Sequence, residues 1–361
     1  MRRALELGAR AEGRTRPNPA VGAVVVSDCN IVGEGYHPAA GQPHAEIFAL
    51  RDAADRARGA DLYVTLEPCS HQGRTGPCTE AIIAAGISRV FVGTQDPNPQ
   101  VAGSGIRRLQ EAGIQVEVGL CQSDCRRLIA PFAKHIITGL PYVILKSAVT
   151  LDGQTATSTG DSQWISNALS REEVHRLRDR VDAIMVGIGT VLSDNPRLTT
   201  RLPGGRDPQR IIVDSHLRTP PEAALLHLDS SASTLIAHLA EAPDERGQRL
   251  AANDAELLVT AACDGHVDLH DLLVQLGQRG VQSILLEGGA QLNAAFLQAG
   301  LVDRMMIFVA PKVIGGSGGP GIFAGAGVAC LADAVELEDI RVSRFGDDVL
   351  IEGEVKRCLP A

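Results

Sequence analysis

The sequence is short of aromatic residues and of concentrated positive charge. Phe, Trp and Tyr make up 3% of its 361 residues, with a single Trp, so any core must be built by aliphatic packing. The formal charge is −9, and no run of Lys and Arg is long enough to form the basic stripe of a nucleic-acid binder. No apolar stretch approaches the roughly 20 residues of a membrane span. The N-terminal MRRALELGARAEGR lacks the apolar segment of a signal peptide. A cytoplasmic enzyme with a small-molecule substrate fits these absences better than a nucleic-acid or membrane partner. There is no repeat of about 20 to 50 residues and no low-complexity linker. The 8 cysteines are scattered through the chain, which disfavours a disulfide framework and leaves metal binding or plain burial.

What is present is length for two domains of about 150 residues each, with hydrophobic residues at 44% and charged residues at 21%. AVGAVVV (residues 20–26) reads as a buried strand, Asp28 to Asn30 as a turn, and Ile31 to Tyr36 as the second strand of a hairpin. HAEIFALRDAADRA then has helical spacing, DLYVTL is a strand, Thr79 to Ala85 is a helix ended by Gly86, and Arg89 to Val92 is a strand. That alternation predicts a three-layer α/β domain to about Gly139. After Leu140-Pro141 a second α/β domain begins with YVILKSAV. Its further strands are expected at Asp182–Val186, Arg210–Val213, Thr234–His238, Glu256–Val259 and Ser283–Leu286. The Ala-, Leu- and Asp-rich region from Leu217 to Asp268 carries no readable motif and is expected to build sheet and surface.

Three groups carry chemistry in the first half: His44-Ala45-Glu46 at a helix start, Pro68-Cys69 after a strand, and Cys78 at another helix start. One imidazole and two thiolates suit Zn²⁺, and three protein ligands leave a fourth tetrahedral position for water, as in a catalytic site. Glu46, two positions past the ligand His44, is placed to shuttle a proton from that water to a departing amine. Cys69 and Cys78 both precede helical patterns, whose N-termini favour thiolate. A lone His at a helix start usually caps it and a lone Cys is usually core, so it is the combination that points to metal. Cys29, Cys121, Cys125, Cys263, Cys330 and Cys358 lack ligand spacing, and Cys121 with Cys125 is expected along one helix face.

In the second half, LKSAVTLDGQTATSTGDSQWIS (145–166) is a strand leading into a polar loop that holds the Trp. VGIGTVLSDNPRLTTR (186–201) is a strand, a Gly-flanked turn, a short helix and a segment with Arg197 and Arg201 suited to a phosphate. LLEGGAQLNAAFLQAG (285–300) is a strand ending in Glu287, then Gly288-Gly289 and a helix whose N-terminal amides could hold a phosphate oxygen. None of these is a GxGxxG fingerprint, so spacing alone does not establish a nicotinamide site.

PNPAVGAVVV, HAEIFAL and TLEPCSHQGRTGPCTEAI resemble the deaminase domain of bifunctional riboflavin-biosynthesis proteins of the RibD type, over nearly all of residues 1–139. The insert SHQGRTGP distinguishes this group from deaminases with the tighter Pro-Cys-x-x-Cys motif. Gly76, where the family pattern has a second proline, and a slightly shorter N-terminus are departures. The three later segments resemble the reductase half of the same family. The resemblance implies a cytidine-deaminase-like domain (1–139) followed by a dihydrofolate-reductase-like α/β domain (140–361) that uses NADPH. It implies substrate contacts at Asn18 and His71, with Gly73 and Arg74 shaping the loop, although polar loop residues read equally well there. For NADPH it implies Ala148, Trp164, Thr190, Asp194 and the stretch Gly289, Ala290, Gln291, Leu292 and Asn293. For the reductase substrate it implies Ser162, Arg178, Leu198, Arg201 and Glu287, the arginines meeting a ribose phosphate, while Arg178 also reads as a solvated helix residue. Lys146 and Asp152 fall in the family's LK and LDG motifs and are expected to help position the open-chain sugar, with no proton-transfer role assigned to either, and both also read as structural residues.

The expected activity is zinc-dependent deamination of a diaminopyrimidinone ribosyl phosphate, then NADPH-dependent reduction of its ribosyl chain to ribityl, by a homo-oligomer without nucleic-acid or membrane partners. Two rivals stand beside it. One is a tRNA or nucleic-acid base deaminase with an accessory binding domain, which the acidic balance and the long cysteine insert oppose. The other is a zinc-stabilised sensing module, which would need a fourth protein ligand such as His71.

Overall fold

The computed structural model describes residues 1–71, 76–99, 101–316 and 319–356; Gly73 and Arg74 of the insert, and Cys358, lie outside them. The chain divides into two compact units, Met1–Gly139 and Leu140–Ala361.

The first unit opens on helix α1 (Arg2–Ala9), followed by the hairpin β1 (Gly22–Ser27) and β2 (Asn30–Tyr36), which turns through Asp28 and Cys29, both at positive φ. Helix α2 (Ala45–Ala53), β3 (Asp61–Leu66), α3 (Cys78–Ala84) and β4 (Arg89–Thr94) come next. Then α4 (Ser104–Glu111), β5 (Gln115–Val118), α5 (Gln122–Leu128) and α6 (Ala130–Thr138) complete the unit. The sheet order is β2-β1-β3-β4-β5, with β1 antiparallel to its neighbours and β3, β4 and β5 parallel. Alternation along β1 decides the layering. Val24 packs under α1 with Ala4 and Leu7, whereas Ala23 and Val25 join Ala45, Ala49 and Ala53 of α2 on the other face. Two glycines of β2 let α2 lie flush on the hairpin: a Cβ at Gly33 would come within 2.2 Å of the Ala49 carbonyl, and one at Gly35 within 2.3 Å of that of Ala45. This close seat fixes the start of α2, where His44 stands.

The second unit begins with β6 (Tyr142–Thr150), α7 (Ala168–Arg180), β7 (Ala183–Gly187), α8 (Ile188–Asp194) and β8 (Gln209–Val213). It continues with β9 (Thr234–Leu239), α9 (Asp244–Ala251), β10 (Ala255–Thr260), a two-residue hairpin of β11 (Ala262–Cys263) and β12 (His266–Val267), and α10 (Leu269–Gln278). Next come β13 (Ser283–Leu286), α11 (Ala290–Gln298), β14 (Arg304–Ala310), β15 (Leu337–Phe345) and β16 (Asp348–Val355). Nine strands form one sheet in the order β10-β9-β8-β7-β13-β6-β14-β16-β15. It is parallel from β10 to β14 and antiparallel beyond. The parallel strands are near-continuous apolar runs such as ILL and IMV, as burial on both faces requires, and Leu145, Met185, Ile211 and Leu286 are fully buried. Because these strands run the same way, the loops after β6, β7, β8 and β13 gather on one edge, the usual ligand edge of such sheets.

Two expectations are corrected. Cys121 and Cys125 do not share a helix face: Cys121 precedes α5 with φ 55°, and only Cys125 lies in the helix, fully buried. Cys69 does not stand at a helix start either, since α3 begins only at Cys78. Among the described residues, no helix is long and apolar enough to cross a membrane.

Candidate active sites

In the first unit, His44 is the residue before α2, Cys69 follows the end of β3 and Cys78 is the first residue of α3. The fold brings all three together, with ligand atoms within 4.8 Å of one another. The His44 Nδ1 lies 3.5 Å from the Cys69 Sγ and 3.3 Å from the Cys78 Sγ. The Cys78 backbone amide donates to the Cys69 sulfur at 3.4 Å, and the Thr79 amide to the Cys69 carbonyl at 3.2 Å. With no helix behind it, Cys69 is drawn toward the thiolate by the Cys78 thiol that donates to it, against burial, and then by His44. The same hydrogen bond, followed by burial, pushes the Cys78 thiol up. Two sulfurs and an imidazole nitrogen thus converge on one point, the donor set that holds a zinc ion once the metal has displaced the thiol protons.

Glu46, on the first turn of α2, is 3% exposed. Burial raises its carboxyl to about 7, with the negative charge of Cys69 adding to the rise. A carboxyl poised there can take and return a proton near neutrality. His37, which no sequence motif marks, supports the site: its ring meets that of His44 edge-on with centroids 5.3 Å apart. The His37 Nδ1 is 3.0 Å from the Pro43 carbonyl, and its Nε2 is 3.0 Å from the Asn18 amide nitrogen. With a carbonyl at Nδ1 and an amide NH₂ at Nε2, the ring is placed to donate from the first and accept at the second, and burial lowers its pKa. Asn18 therefore reaches the site by way of His37, a link that no sequence spacing signals. His71 is exposed and is not part of the three-ligand group.

In the second unit the loop edge holds a buried charge cluster. Glu287, just past β13, accepts from Arg178 of α7 through both oxygens, at 2.9 and 3.1 Å. The Lys146 Nζ of β6 lies 3.7 Å from the same carboxylate. Burial alone would raise the Glu287 carboxyl, but the charges of Arg178 and Lys146 outweigh it and hold the group at about 2. Arg178 also donates to the Thr199 carbonyl at 3.0 Å, which ties the segment carrying Leu198 and Arg201, both at positive φ, to the cluster. Arg178 is thus an inward-facing residue rather than a solvated one. One turn before it, His175 is lowered by burial and by the charges of Arg178 and Arg201.

Thr190, in α8, faces the start of α11: a Cβ at Gly289 would lie 3.7 Å from its hydroxyl. Gly289 precedes α11, whose first residues are Ala290, Gln291, Leu292 and Asn293. Asn293 is buried and donates to the Ile322 carbonyl at 3.2 Å. Ala148 lies on β6 opposite Phe308. Asp194 is exposed at the end of α8 and accepts from Ser193. Trp164 is 57% exposed, with the Arg171 guanidinium 4.7 Å from its ring centre and Lys312 donating to its carbonyl. Ser162 lies on the same loop, half-buried. Asp152 accepts from the Thr150 hydroxyl at 2.6 Å and from the Gly315 amide at 2.7 Å. These contacts hold its carboxyl at about 2 and spend it on loop structure.

A thiolate–imidazole centre beside a buried carboxyl in one unit, and a mostly parallel sheet with a buried charge cluster on its loop edge in the other, define the class as a two-domain zinc enzyme with a separate ligand-binding α/β unit. The family description "Cytidine and deoxycytidylate deaminase zinc-binding region" matches residues 1–94, and "RibD C-terminal domain" matches residues 141–351. The riboflavin biosynthesis protein RibD of Bacillus amyloliquefaciens is 43% identical over 97% of this chain and 94% of its own. That of Escherichia coli is 43% identical over 97% of each. Among solved structures, Acinetobacter baumannii RibD superposes with a TM-score of 0.83 at 38% identity, covering 99% of this chain and 98% of its own. A Thermotoga maritima protein described as a diaminohydroxyphosphoribosylaminopyrimidine deaminase and 5-amino-6-(5-phosphoribosylamino)uracil reductase gives a TM-score of 0.84 at 36% identity, covering 98% and 97%. The chain belongs to the RibD family: it is a bifunctional deaminase and reductase of riboflavin biosynthesis, using zinc and NADPH.

Proposed function

We propose that residues 1–139 deaminate the diaminopyrimidinone ribosyl phosphate and that residues 140–361 reduce the ribosyl chain of the resulting aminouracil to ribityl. The convergence of His44, Cys69 and Cys78 beside buried Glu46 carries the first assignment, and the division into two compact units supports the boundary. The His44 Nδ1 and the two sulfurs would hold zinc, which supplies the Lewis acidity that makes water a nucleophile at neutral pH. Glu46 takes a proton of the attacking water and delivers it to the leaving amine nitrogen while the second water proton ends on the ring nitrogen, so that N=C–NH₂ and H₂O become HN–C=O and NH₃. Asn18, oriented by His37, and His71 contact the pyrimidine.

In the second unit NADPH supplies the hydride. Thr190, Asp194, Ala148, Trp164 and the stretch from Gly289 to Asn293 hold the cofactor, with the N-terminal amides of α11 facing its phosphates. Lys146 and Glu287 hold the opened sugar, and Arg178, Leu198, Arg201 and Ser162 line the rest of that site, with Arg201 meeting the phosphate. The experiment is to incubate the zinc-loaded enzyme with the diaminopyrimidinone ribosyl phosphate and follow product mass. A gain of about 1 Da without cofactor and about 2 Da more with NADPH is the expected result, since NH is replaced by O and two hydrogens are then added. Unchanged mass overturns it.

His71→Ala is expected to keep its zinc and to weaken deamination by raising KM, because His71 lies outside the ligand group. Metal analysis of that variant decides the matter, and loss of zinc would favour a closed, non-catalytic site. A homo-oligomer is also proposed. What supports it is the apolar pair Ile340 and Val342 of β15, 51% and 65% exposed, which a second copy could cover. Sedimentation equilibrium giving a monomer at working concentration would rule it out.

A further inference from the structure

Glu67 stands between β3 and the ligand Cys69, 6% exposed, and takes no part in the deamination chemistry. Its carboxylate accepts four backbone amides. One oxygen takes those of Asp96 at 3.1 Å and Gly103 at 2.9 Å, and the other those of Gly105 at 2.9 Å and Ile106 at 3.2 Å. Gly105 and Ile106 belong to the first turn of α4, where the amides have no helical partner and the helix end favours negative charge. Helix α4 has no side-chain cap of its own, because the residue before it is Gly103 at φ 77°. Glu67 therefore caps α4 from across the fold.

Two further contacts fasten the same helix start to the ligand segment. The Ser70 and Ser104 hydroxyls are 2.8 Å apart. A Cβ at Gly105 would come within 1.9 Å of the Pro68 carbonyl, so helix and ligand segment touch backbone to backbone. Residues on both sides of Cys69 are thus held by α4, and Asp96 and Gly103 are drawn in by the same carboxylate.

We propose that Glu67 is a positioning residue of the deaminase centre: by gathering four amides of residues 96–106 it locks Pro68-Cys69 in place, so that Cys69 meets the metal in a preset position. The inference rests on the zinc reading given above. A ligand held by a rigid outer shell releases its metal slowly, and removing such outer-shell partners costs about 10- to 100-fold in metal affinity.

Glu67→Gln keeps the shape but turns one acceptor oxygen into an NH₂ facing two amide donors. Zinc release from the full-length enzyme into a chromophoric chelator is expected to be about 10-fold faster or more in this variant. Val90→Ala, a core truncation in the same unit, serves as the control for lost stability and is expected to release zinc at the wild-type rate. Gly105→Ala, which leaves the carboxylate intact but pushes α4 off Pro68, is expected to reproduce the fast release and carries the test should Glu67→Gln not fold. Release at the wild-type rate in Glu67→Gln, or in Gly105→Ala where that variant carries the test, overturns the proposal. So does release as fast in Val90→Ala. A wild-type enzyme that binds no zinc overturns the zinc reading itself, and this proposal with it.

Discussion

Glu46→Gln is expected to bind zinc as the parent does and to lose deaminase activity by about 10²- to 10⁴-fold, the range for removing a general acid–base. The carboxamide occupies the same buried volume without being able to exchange a proton. His44, Cys69 and Cys78 are untouched, and zinc content by metal analysis should stay near one per chain. The reductase, in a unit with its own core, should turn over aminouracil substrate at the parental rate. Full deaminase activity in this variant would refute the shuttle role; loss of zinc would show instead that the carboxylate helps hold the metal.

Arg178→Met is expected to destabilise the second unit at neutral pH by less than the roughly 3–5 kcal/mol of stranding a buried charge outright, because Lys146 remains 3.7 Å from the Glu287 carboxylate. It should also abolish reduction. The pH dependence separates this from a loss of packing. In the parent, Glu287 has its folded pKa depressed to about 2 from an ordinary 4.5. Its ion pair therefore contributes fully above the unfolded value and is lost as pH falls through the folded one. Without Arg178 the buried carboxyl rises instead and takes a proton under mildly acidic conditions. The stability gap between variant and parent, measured by urea unfolding, should narrow on going from pH 7 to about pH 4. A gap that stays constant would mean that the arginine contributes by packing alone.

The deaminase centre is legible in the sequence because its residues sit at the ends of regular elements whose periodicity is strong. DLYVTL gives β3, and the helical run after His44 gives α2, so the pattern alone puts the His and Cys positions at one sheet edge. The supports are not legible. His37 follows a strand in a Tyr-His-Pro segment with no spacing to mark it, and Glu67 reads as one more polar residue after a strand until residues 96–106 fold back onto it. In the second unit the buried strands announce themselves by apolar runs, and RMMIFVA of β14, beyond the strands expected above, carries the same signal. Strand β15 does not carry it: Glu338, Asp339, Arg341 and Arg344 interrupt its alternation, and the register with β16 shifts between Glu338 and Arg341. The Lys146, Arg178 and Glu287 cluster joins the middle of β6, the last turn of α7 and the end of β13, and only the family resemblance, not local pattern, points to those residues together.

The place of β6 in its sheet sets the order in which the enzyme can be made. Strand β6 lies between β13 and β14, which are encoded more than a hundred residues later, whereas the first unit's sheet is complete at Val118. On the ribosome the N-terminal half can close its core while YVILKSAVT emerges with neither neighbour yet synthesised. Pairings so distant in sequence are slow to form and leave strand edges open meanwhile. The reductase half is therefore the part of the nascent chain more exposed to aggregation, and overproduction at high temperature should cost reductase activity in the soluble fraction before it costs deaminase.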